Sequence, residues 1–575
     1  MTKAIGIDFG TTYSSIYVYN SATHMPEGKK DGEYGEFIPT EIAYKRIKGT
    51  DQYYFGHKAH EKSNYVVDVK RMLGISSNSI LIEDIKEELA ARGIGIRSVG
   101  NEEGCYPREI VQLQLNPNSR TSVWHTPEEL AARYFKWLVE DIAEVQINDN
   151  LKVVITIPAD FSSNQRKAIL RAAGKANFNL KNVTLLYEPS AAAFCYLQRS
   201  SKKIYQNLLV CDFGGGTFDL SLLKITENSF FVRLVGGNRF LGGRDFDQKL
   251  LSWAIAKFND KGIQTEKPKI KKQLEVKCVK AKEELSSATG TEISIVYENS
   301  EGEECDEIIQ IARDEFNNEC SKLIEACINS ITDLLSKKSV DKSDVDGVLL
   351  VGGSSRMPIF IQKMKEFFGP EKVLDFNNKR EAIGMGACYL AAMKCNMTTF
   401  EFINNQNLNQ RLPHTIGLQD GEWGYAPFFF KNETIPLPPK TLVFSTTTDN
   451  QENAVFRVFE GECPLLLFGI NELVGEFKFK NLPKRKAGEV TFNISMEIDE
   501  LGILTIKVNS PQAGTIDDYK QELDLSKLET FQMIMAQNTN APEGSQKMQS
   551  ATQNRELKTK AVNAQLKNNS APRTC

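Results

Sequence analysis

The chain has 575 residues, of which 41% are hydrophobic and 25% charged, the balance of ordinary globular proteins and enough apolar material for more than one core. Its 70 basic and 74 acidic residues leave a net charge of −4, which argues against a general nucleic-acid or anionic-membrane binder, because either carries a basic excess. No stretch approaches the roughly 18–20 apolar residues that cross a bilayer. Met1-Thr2-Lys3-Ala4 runs straight into a strand, unlike a secretory leader with its apolar stretch and small-residue cleavage site. The 11 cysteines include no C-x-x-C pair and no zinc spacing, so they read as reduced thiols in a cytoplasmic protein.

In chain order, the first strong signal is the run Ala4-Ile5-Gly6-Ile7-Asp8-Phe9-Gly10-Thr11-Thr12, an apolar strand ending in Asp, Phe and Gly. A second β-rich run, Ser15–Tyr19, follows it. Apolar runs of this length joined by a Gly-Thr turn read as a hairpin. Helices are expected over 127–143 and 166–176, the latter directly after a buried-looking strand at 151–158. The opening pattern then repeats: Leu208-Leu209-Val210-Cys211-Asp212-Phe213-Gly214-Gly215-Gly216-Thr217, followed by Leu220–Ile225. Helices over 273–286 and 315–335 come next, then a strand at 348–353 leading into a helix at 358–368. Strand-then-helix units at this spacing indicate an α/β domain, and the repeated hairpin indicates two related lobes that face each other.

After Ala392 the composition changes. Residues 398–411 are polar and rich in Asn and Gln, which reads as a linker. From His414 to Val508 short strands alternate with turn residues, as in Thr441–Ser445, Ala454–Phe459 and Gly502–Val508, the pattern of a compact all-β module. Beyond Leu525 too few large apolar residues remain to offset the entropy of ordering.

The paired Asp-Phe-Gly turns carry the chemistry. Glycines let backbone N–H groups approach phosphate oxygens without an intervening Cβ. Thr11, Thr12 and Thr217 add hydroxyls. Asp8 and Asp212, at the strand ends, are candidates to hold Mg²⁺ through its bound waters. There is no G-x-x-x-x-G-K-[ST] segment and no H-R-D loop, which excludes P-loop NTPases and protein kinases.

Together, Ile7-Asp8-Phe9-Gly10-Thr11-Thr12-Tyr13-Ser14 and Asp212-Phe213-Gly214-Gly215-Gly216-Thr217-Phe218-Asp219 resemble the two phosphate loops of the 70-kDa heat-shock (Hsp70/DnaK) chaperones. Val351-Gly352-Gly353-Ser354-Ser355-Arg356-Met357-Pro358 is similar to that family's adenosine loop. Glu188–Ala193 and Leu241-Gly242-Gly243-Arg244-Asp245-Phe246-Asp247 also match family segments. Thr446–Gln451 and Phe459–Glu462 look like parts of its peptide-binding domain.

The resemblance implies an actin-like (ribonuclease-H-like) two-lobed ATPase domain over residues 1–396. It also implies a linker over 397–413, a β-sandwich peptide-binding domain over 414–525 and a disordered or weakly helical tail over 526–575. ATP or ADP with Mg²⁺ would lie between the lobes. By pattern alone Lys70 belongs on a helix surface; the resemblance makes it the catalytic lysine, with Glu188, Thr217 and Asp219 ordering water and metal. The nucleotide would be held by Gly10, Thr11, Thr12 and Tyr13, by Gly214, Gly215, Gly216 and Thr217, and by Gly242 and Gly243. Lys282, Ser286, Gly352, Gly353, Ser354 and Arg356 would hold the adenosine end. Pro158 and Arg166 match positions that relay nucleotide state to the second domain. Leu418, Phe444, Ala454 and Phe456 are candidates for an apolar peptide pocket, or alternatively plain sandwich core.

The implied partners are unfolded or extended polypeptides, with J-domain and nucleotide-exchange co-chaperones; no nucleic acid and no membrane is expected. The implied function is ATP-dependent protein folding in the stress response, the alternatives being a nucleotide-binding scaffold with little turnover or a small-molecule kinase of the same superfamily. Several positions depart from the family pattern. Val279 stands where a glutamate is usual, Glu283 where an arginine or aliphatic residue is common, Arg380 for an acid and Arg244 for a glutamate. These changes predict a sound phosphate site and a weakened adenine site. The linker has only Leu408 and Leu412 in place of a leucine run, which predicts loss of its apolar docking surface. The tail is too short and polar for a helical lid.

Overall fold

The computed structural model describes residues 3–48, 50–62, 64–75, 80–101, 108–115, 123–199, 205–226, 229–299, 301–336, 339–398, 410–421, 424–463, 466 and 471–512. The expected tail, most of the linker and Leu408 lie outside the described residues.

The described chain divides into two compact units, one built mainly of residues up to His414 and a second of Thr415–Phe429, Lys440–Met496 and, among the described residues, Thr505–Gln512. In the larger unit, β1 (Lys3–Asp8) and β2 (Tyr13–Asn20) form the first expected hairpin, pairing Ile7 with Ile16. On its other side β1 pairs in parallel with β3 (Leu151–Ile157), Ile5 opposite Val153. α1 (Glu188–Arg199) follows the next strand of this sheet. β1 and β3 are apolar almost throughout because both faces of the sheet are covered.

The second lobe repeats the plan. β4 (Asn207–Phe213) and β5 (Phe218–Thr226) form a hairpin with Asp212 opposite Asp219, and β4 pairs in parallel with β6 (Gly347–Val351), Val210 opposite Leu349. α2 (Gly243–Asp260) and α3 (Pro268–Glu284) pack beside this sheet. The chain then returns to the first lobe as α4 (Ala382–Lys394), which lies across β1 and α1. The expected helices over 166–176, 273–286 and 358–368 appear as Ser163–Lys175, α3 and Pro358–Phe368. The one expected over 315–335 is broken at Cys320 into Arg313–Glu319 and Ser321–Ser336. The one expected over 127–143 is α-helical to Trp137 and then widens into a π-turn over Leu138–Ile142.

In both Asp-Phe-Gly turns the aromatic ring is the anchor. Phe9 is fully buried and meets Phe135 edge-on at 4.9 Å. Phe213 is fully buried between Phe218 and Phe360, at 5.0 and 4.9 Å. Each ring fixes its turn to the lobe core and leaves the aspartate and the glycines free to face the opposite lobe. Nine described cysteines are free thiols, and all but Cys305 and Cys395 are buried. Among the described residues no helix is long and apolar enough to cross a membrane.

In the smaller unit two sheets share a core. One carries Ile416–Asp420 between Gly424–Phe429 and Asn453–Glu460, with Glu472–Lys480 beyond; the other runs Leu437–Ser445, Thr491–Ile498, Leu504–Asn509. Phe444, Phe456, Phe479 and Phe492 interlock between them, with Phe456 5.0 Å from Phe492 and 5.8 Å from Phe444.

The close crossing of α4 over β1 depends on Gly6. A Cβ there would lie 2.2 Å from the backbone nitrogen of Cys388 and 2.7 Å from the carbonyl of Gly384. Backbone cannot yield as a flexible side chain can, so Gly6→Ala is expected to destabilise the larger unit by about 1–3 kcal/mol, read as a lower midpoint in urea denaturation followed by tryptophan fluorescence.

Candidate functional site

The two hairpin turns face each other across a cavity of about 610 Å³. Its walls bring together most of the residues singled out by sequence. Asp8, Gly10, Thr11, Thr12 and Tyr13 come from the first lobe, and Asp212, Gly214, Gly215, Gly216, Thr217 and Asp219 from the second. Lys70, Pro158 and Glu188 join them from the first-lobe side, and Lys282, Ser286, Gly352, Gly353, Ser354 and Arg356 from the other.

At the head of the cavity Lys70 is buried and its ammonium donates to Glu188 Oε1. The surface position expected from its pattern is overturned. The four-residue helix Val69–Met72 starts from Asp68 in a left-handed conformation and is held inside the lobe. Burial alone would lower the Lys70 pKa, but the charges of Glu188 and Asp8 outweigh it and hold the amine above its ordinary value. The neighbouring acids are raised too, and for them that favours the neutral form. Burial, reinforced by Glu188, pushes Asp8 up to about 7 against the pull of Lys70 and a hydrogen bond from Thr156 Oγ1 at 3.1 Å. Burial and then Asp160 raise Asp219 to about 7, although Thr217 Oγ1 donates to it at 2.6 Å. Asp212 is raised well above its ordinary value, again chiefly by burial and then by Glu188 and Asp219. Four carboxylates thus surround one ammonium in a desolvated pocket, a charge imbalance that a divalent cation would relieve. Among the described residues no three acidic, histidine or cysteine side chains converge as a metal-ligating group.

Gly242 and Gly243 stand behind the glycine turn of the second lobe. A Cβ on Gly242 would meet the backbone of Gly215 and Gly216 at 2.6 Å, so only glycine lets this turn nest against the loop. Ser354 Oγ donates to the carbonyl of Gly214 at 2.8 Å, and Lys282 is paired with Asp247 at 2.7 Å. Both therefore shape the wall as well as lining it.

Arg166 lies outside the cavity. It is 1% exposed, donates to the carbonyl of Phe161 and to the Tyr187 hydroxyl, and Tyr187 in turn donates to the carbonyl of Arg411 at 2.8 Å. The described end of the linker is held there by polar contacts. Gln410 Nε2 donates to the carbonyl of Leu185 at 2.7 Å, the Arg411 guanidinium lies 3.5 Å over the Phe231 ring, and Leu412 is buried. The expected loss of an apolar docking surface is therefore met by a different chemistry, hydrogen bonds and one cation–π contact. In the smaller unit Phe444, Ala454 and Phe456 gather in one cluster; Leu418 is buried elsewhere, opposite Ala426 and Val458.

Sequence reasoning missed Asp68, Thr156 and Asp160. Asp68 is fully buried, and its partners are Arg71 at 3.4 Å and Arg244 at 2.9 Å. Arg244 also donates to Thr12 Oγ1 at 3.1 Å. Its side chain thus ties α2 of the second lobe to the first phosphate loop. Nothing in the pattern Val67-Asp68-Val69-Lys70 signals a buried acid. The Arg244 substitution was visible, but its partner was not.

The profile of the family described as "Hsp70 protein" matches residues 4–572. The chain is 29% identical over 527 residues to "Heat shock 70 kDa protein 2" of Paracoccidioides lutzii, covering 89% of this chain and 76% of that one. It is 28% identical over 541 residues to "Heat shock 70 kDa protein" of Neurospora crassa, covering 92% and 80%. To "Chaperone protein DnaK" of Deinococcus deserti it is 28% identical over 555 residues, covering 94% and 83%. Actin-like nucleotide-binding lobes and a β-sandwich define a chaperone of the ATP-binding class. The chain belongs to the Hsp70 family, as a distant member.

Removing Arg244 leaves the buried Asp68 with Arg71 alone. Arg244→Ala is expected to cost about 1–3 kcal/mol of stability. In a double-mutant cycle with Asp68→Ala the two losses should fall short of additivity by about 0.5 kcal/mol or more, measured by chemical denaturation.

Proposed function

We propose that the chain is an ATP-dependent molecular chaperone in which hydrolysis between the lobes controls exchange of extended apolar peptide segments. The observation that carries the reading is the buried Lys70–Glu188 pair set among Asp8, Asp212 and Asp219, directly between two glycine-threonine loops. Family members are ATPases that take ATP or ADP with Mg²⁺; the assignments to this chain's residues are ours.

The loop backbones of Gly10–Thr12 and Gly214–Thr217 are suited to cradle the phosphates, and the Lys70 ammonium to neutralise charge developing at the transferred phosphoryl group. Mg²⁺, held through water by Asp8 and Asp212, would supply further charge neutralisation. Thr217, Asp219 and Glu188 orient the attacking water by hydrogen bonds. Lys282, Ser286, Gly352, Gly353, Ser354 and Arg356 form the nucleoside end, with Tyr13 at its border and Gly242 and Gly243 backing the phosphate loop. Residues 1–396 form the catalytic part and 414–525 the peptide-holding part, joined by 397–413.

For the peptide, main-chain hydrogen bonds along a strand edge and an apolar contact suffice. Leu442, Val443 and Val455 are exposed beside Phe444 and Phe456, which are only partly buried. Leu442 shares a strand face with Phe444, and Ala454 with Phe456, which gives an apolar patch at the edge of the sandwich core. Leu418 belongs to the core. The relay from nucleotide to peptide would run from Pro158, on the cavity wall, through Arg166 and Tyr187 to Arg411. Unfolded polypeptides and J-domain and nucleotide-exchange co-chaperones are the expected partners, and the cytoplasm the expected compartment.

Steady-state ATP hydrolysis by the full chain with Mg²⁺ tests the reading. Turnover should rise when an extended apolar peptide is added, and Lys70→Ala should lose about 100-fold or more. Absence of turnover in the unmodified chain would point instead to a nucleotide-binding scaffold. The linker contacts make a second prediction: Arg411→Ala, which removes the contact over Phe231 but keeps the backbone carbonyl that Tyr187 meets, keeps basal hydrolysis and reduces its stimulation by peptide, measured in the same assay.

A further inference from the structure

The nucleoside end of the cavity is unlike its phosphate end in how its charges are used. Around the phosphate loops Lys70 is paired with Glu188 and Arg244 with Asp68, and Lys282 of the nucleoside end is paired with Asp247. At the nucleoside end the side chains of Arg356, Arg380 and Glu283 line the same cavity. Among the described residues none of the three forms a side-chain hydrogen bond or an ion pair.

Arg380 is held firmly all the same. Its guanidinium lies 3.9 Å over the Phe37 ring and 5.1 Å from the Tyr13 ring, and its Nε rests near Gly353. With its faces given to aromatic rings, a guanidinium has its N–H edge left to offer. Burial works against its charge, and Tyr13 and Glu283 only partly offset that. Glu283, near the end of α3, brings an exposed carboxylate to the same end of the cavity. The site therefore presents a planar donor edge and an acceptor pair, both uncommitted.

The two purines answer this pattern differently. Guanine carries O6 and N7, adjacent acceptors that an arginine edge meets with two hydrogen bonds. It also carries N1–H and the N2 amino group, adjacent donors that a carboxylate accepts together. Adenine sets its N6 amino donor beside N7, so an arginine edge finds one acceptor and one opposed donor, and a carboxylate receives one bond from N6.

We propose that Arg380 and Glu283 re-aim the nucleoside end toward guanine, so that the chain binds guanine nucleotides with an affinity comparable to or better than that for adenine nucleotides. The inference rests on the nucleotide-binding reading above and widens its base from adenine to guanine. Arg380 and Glu283 are specificity-determining residues; the phosphate machinery is indifferent to the base.

Calorimetric titration of the full chain with ADP and with GDP, each with Mg²⁺, is the test. The expected result is a GDP dissociation constant lower than, or within about 10-fold of, that for ADP. Glu283→Ala, at an exposed position where folding is not at stake, should weaken GDP by about 10-fold and leave ADP within about threefold. Arg380→Gln should shift the GDP/ADP ratio in the same direction. Tight ADP binding with GDP more than about 10-fold weaker overturns the proposal and leaves the nucleotide-binding reading standing. So does a ratio unmoved by Glu283→Ala. Binding of neither nucleotide overturns both.

Discussion

One buried ammonium holds the centre of this protein together. Lys70 stands among Asp8, Asp212, Asp219 and Glu188, a group that has given up most of its water. Desolvating several like charges is costly unless opposite charge is supplied. Two of the acids come from each lobe, so their repulsion acts across the gap between the lobes. The lobes must therefore be held by something stiffer than the site itself. That support comes from the buried phenylalanine behind each turn, from the parallel strand added to each hairpin and from the backbone contact of α4 on β1.

The same logic explains why the site could be divided into a fixed part and a variable part. The phosphate loops are built from backbone and from residues anchored in the core, so little about them can change without loss of the fold. The end of the cavity lined by Glu283 and Arg380 is built from side chains that project from a helix end and a loop. Glu283 and Arg380 stand there with charges unlike those the family pattern carries, and the packed core does not depend on either. Arg244 is the intermediate case. It carries the opposite charge to the family's glutamate, and the buried Asp68 answers it from the opposite lobe.

The duplicated strand-turn pattern made the two lobes readable from residues alone, because a run such as Leu208–Cys211 reads as a strand covered on both faces. The β-module was equally plain from its alternating short strands. The cavity wall was readable where the chemistry requires a residue type, as with the glycines and threonines of the turns. It was unreadable where position is set by tertiary packing. Asp68 precedes the short helix that carries Lys70, in a sequence that reads as a solvent face, and only the surrounding lobe turns it inward. The linker failed differently. Counting leucines missed that glutamine, arginine and a neighbouring tyrosine can seat a chain by polar contacts, with partners 224 and 225 positions away. The break at Cys320 and the π-turn after Trp137 likewise have no local signal in their sequences.

The free thiols give the molecule a built-in set of reporters. Cys195 and Cys388 sit in the first lobe, Cys211, Cys278, Cys320 and Cys327 in the second, and Cys463 in the smaller unit, all shielded from water. Burial raises the thiols of Cys195, Cys278, Cys320 and Cys327 to about 12, so in the closed fold they are poor nucleophiles as well as inaccessible ones. A maleimide can reach each only when its surroundings open. The alkylation rate at each position, resolved by mass spectrometry of the natural sequence, would thus chart the opening free energy of each lobe separately, with no substitution introduced.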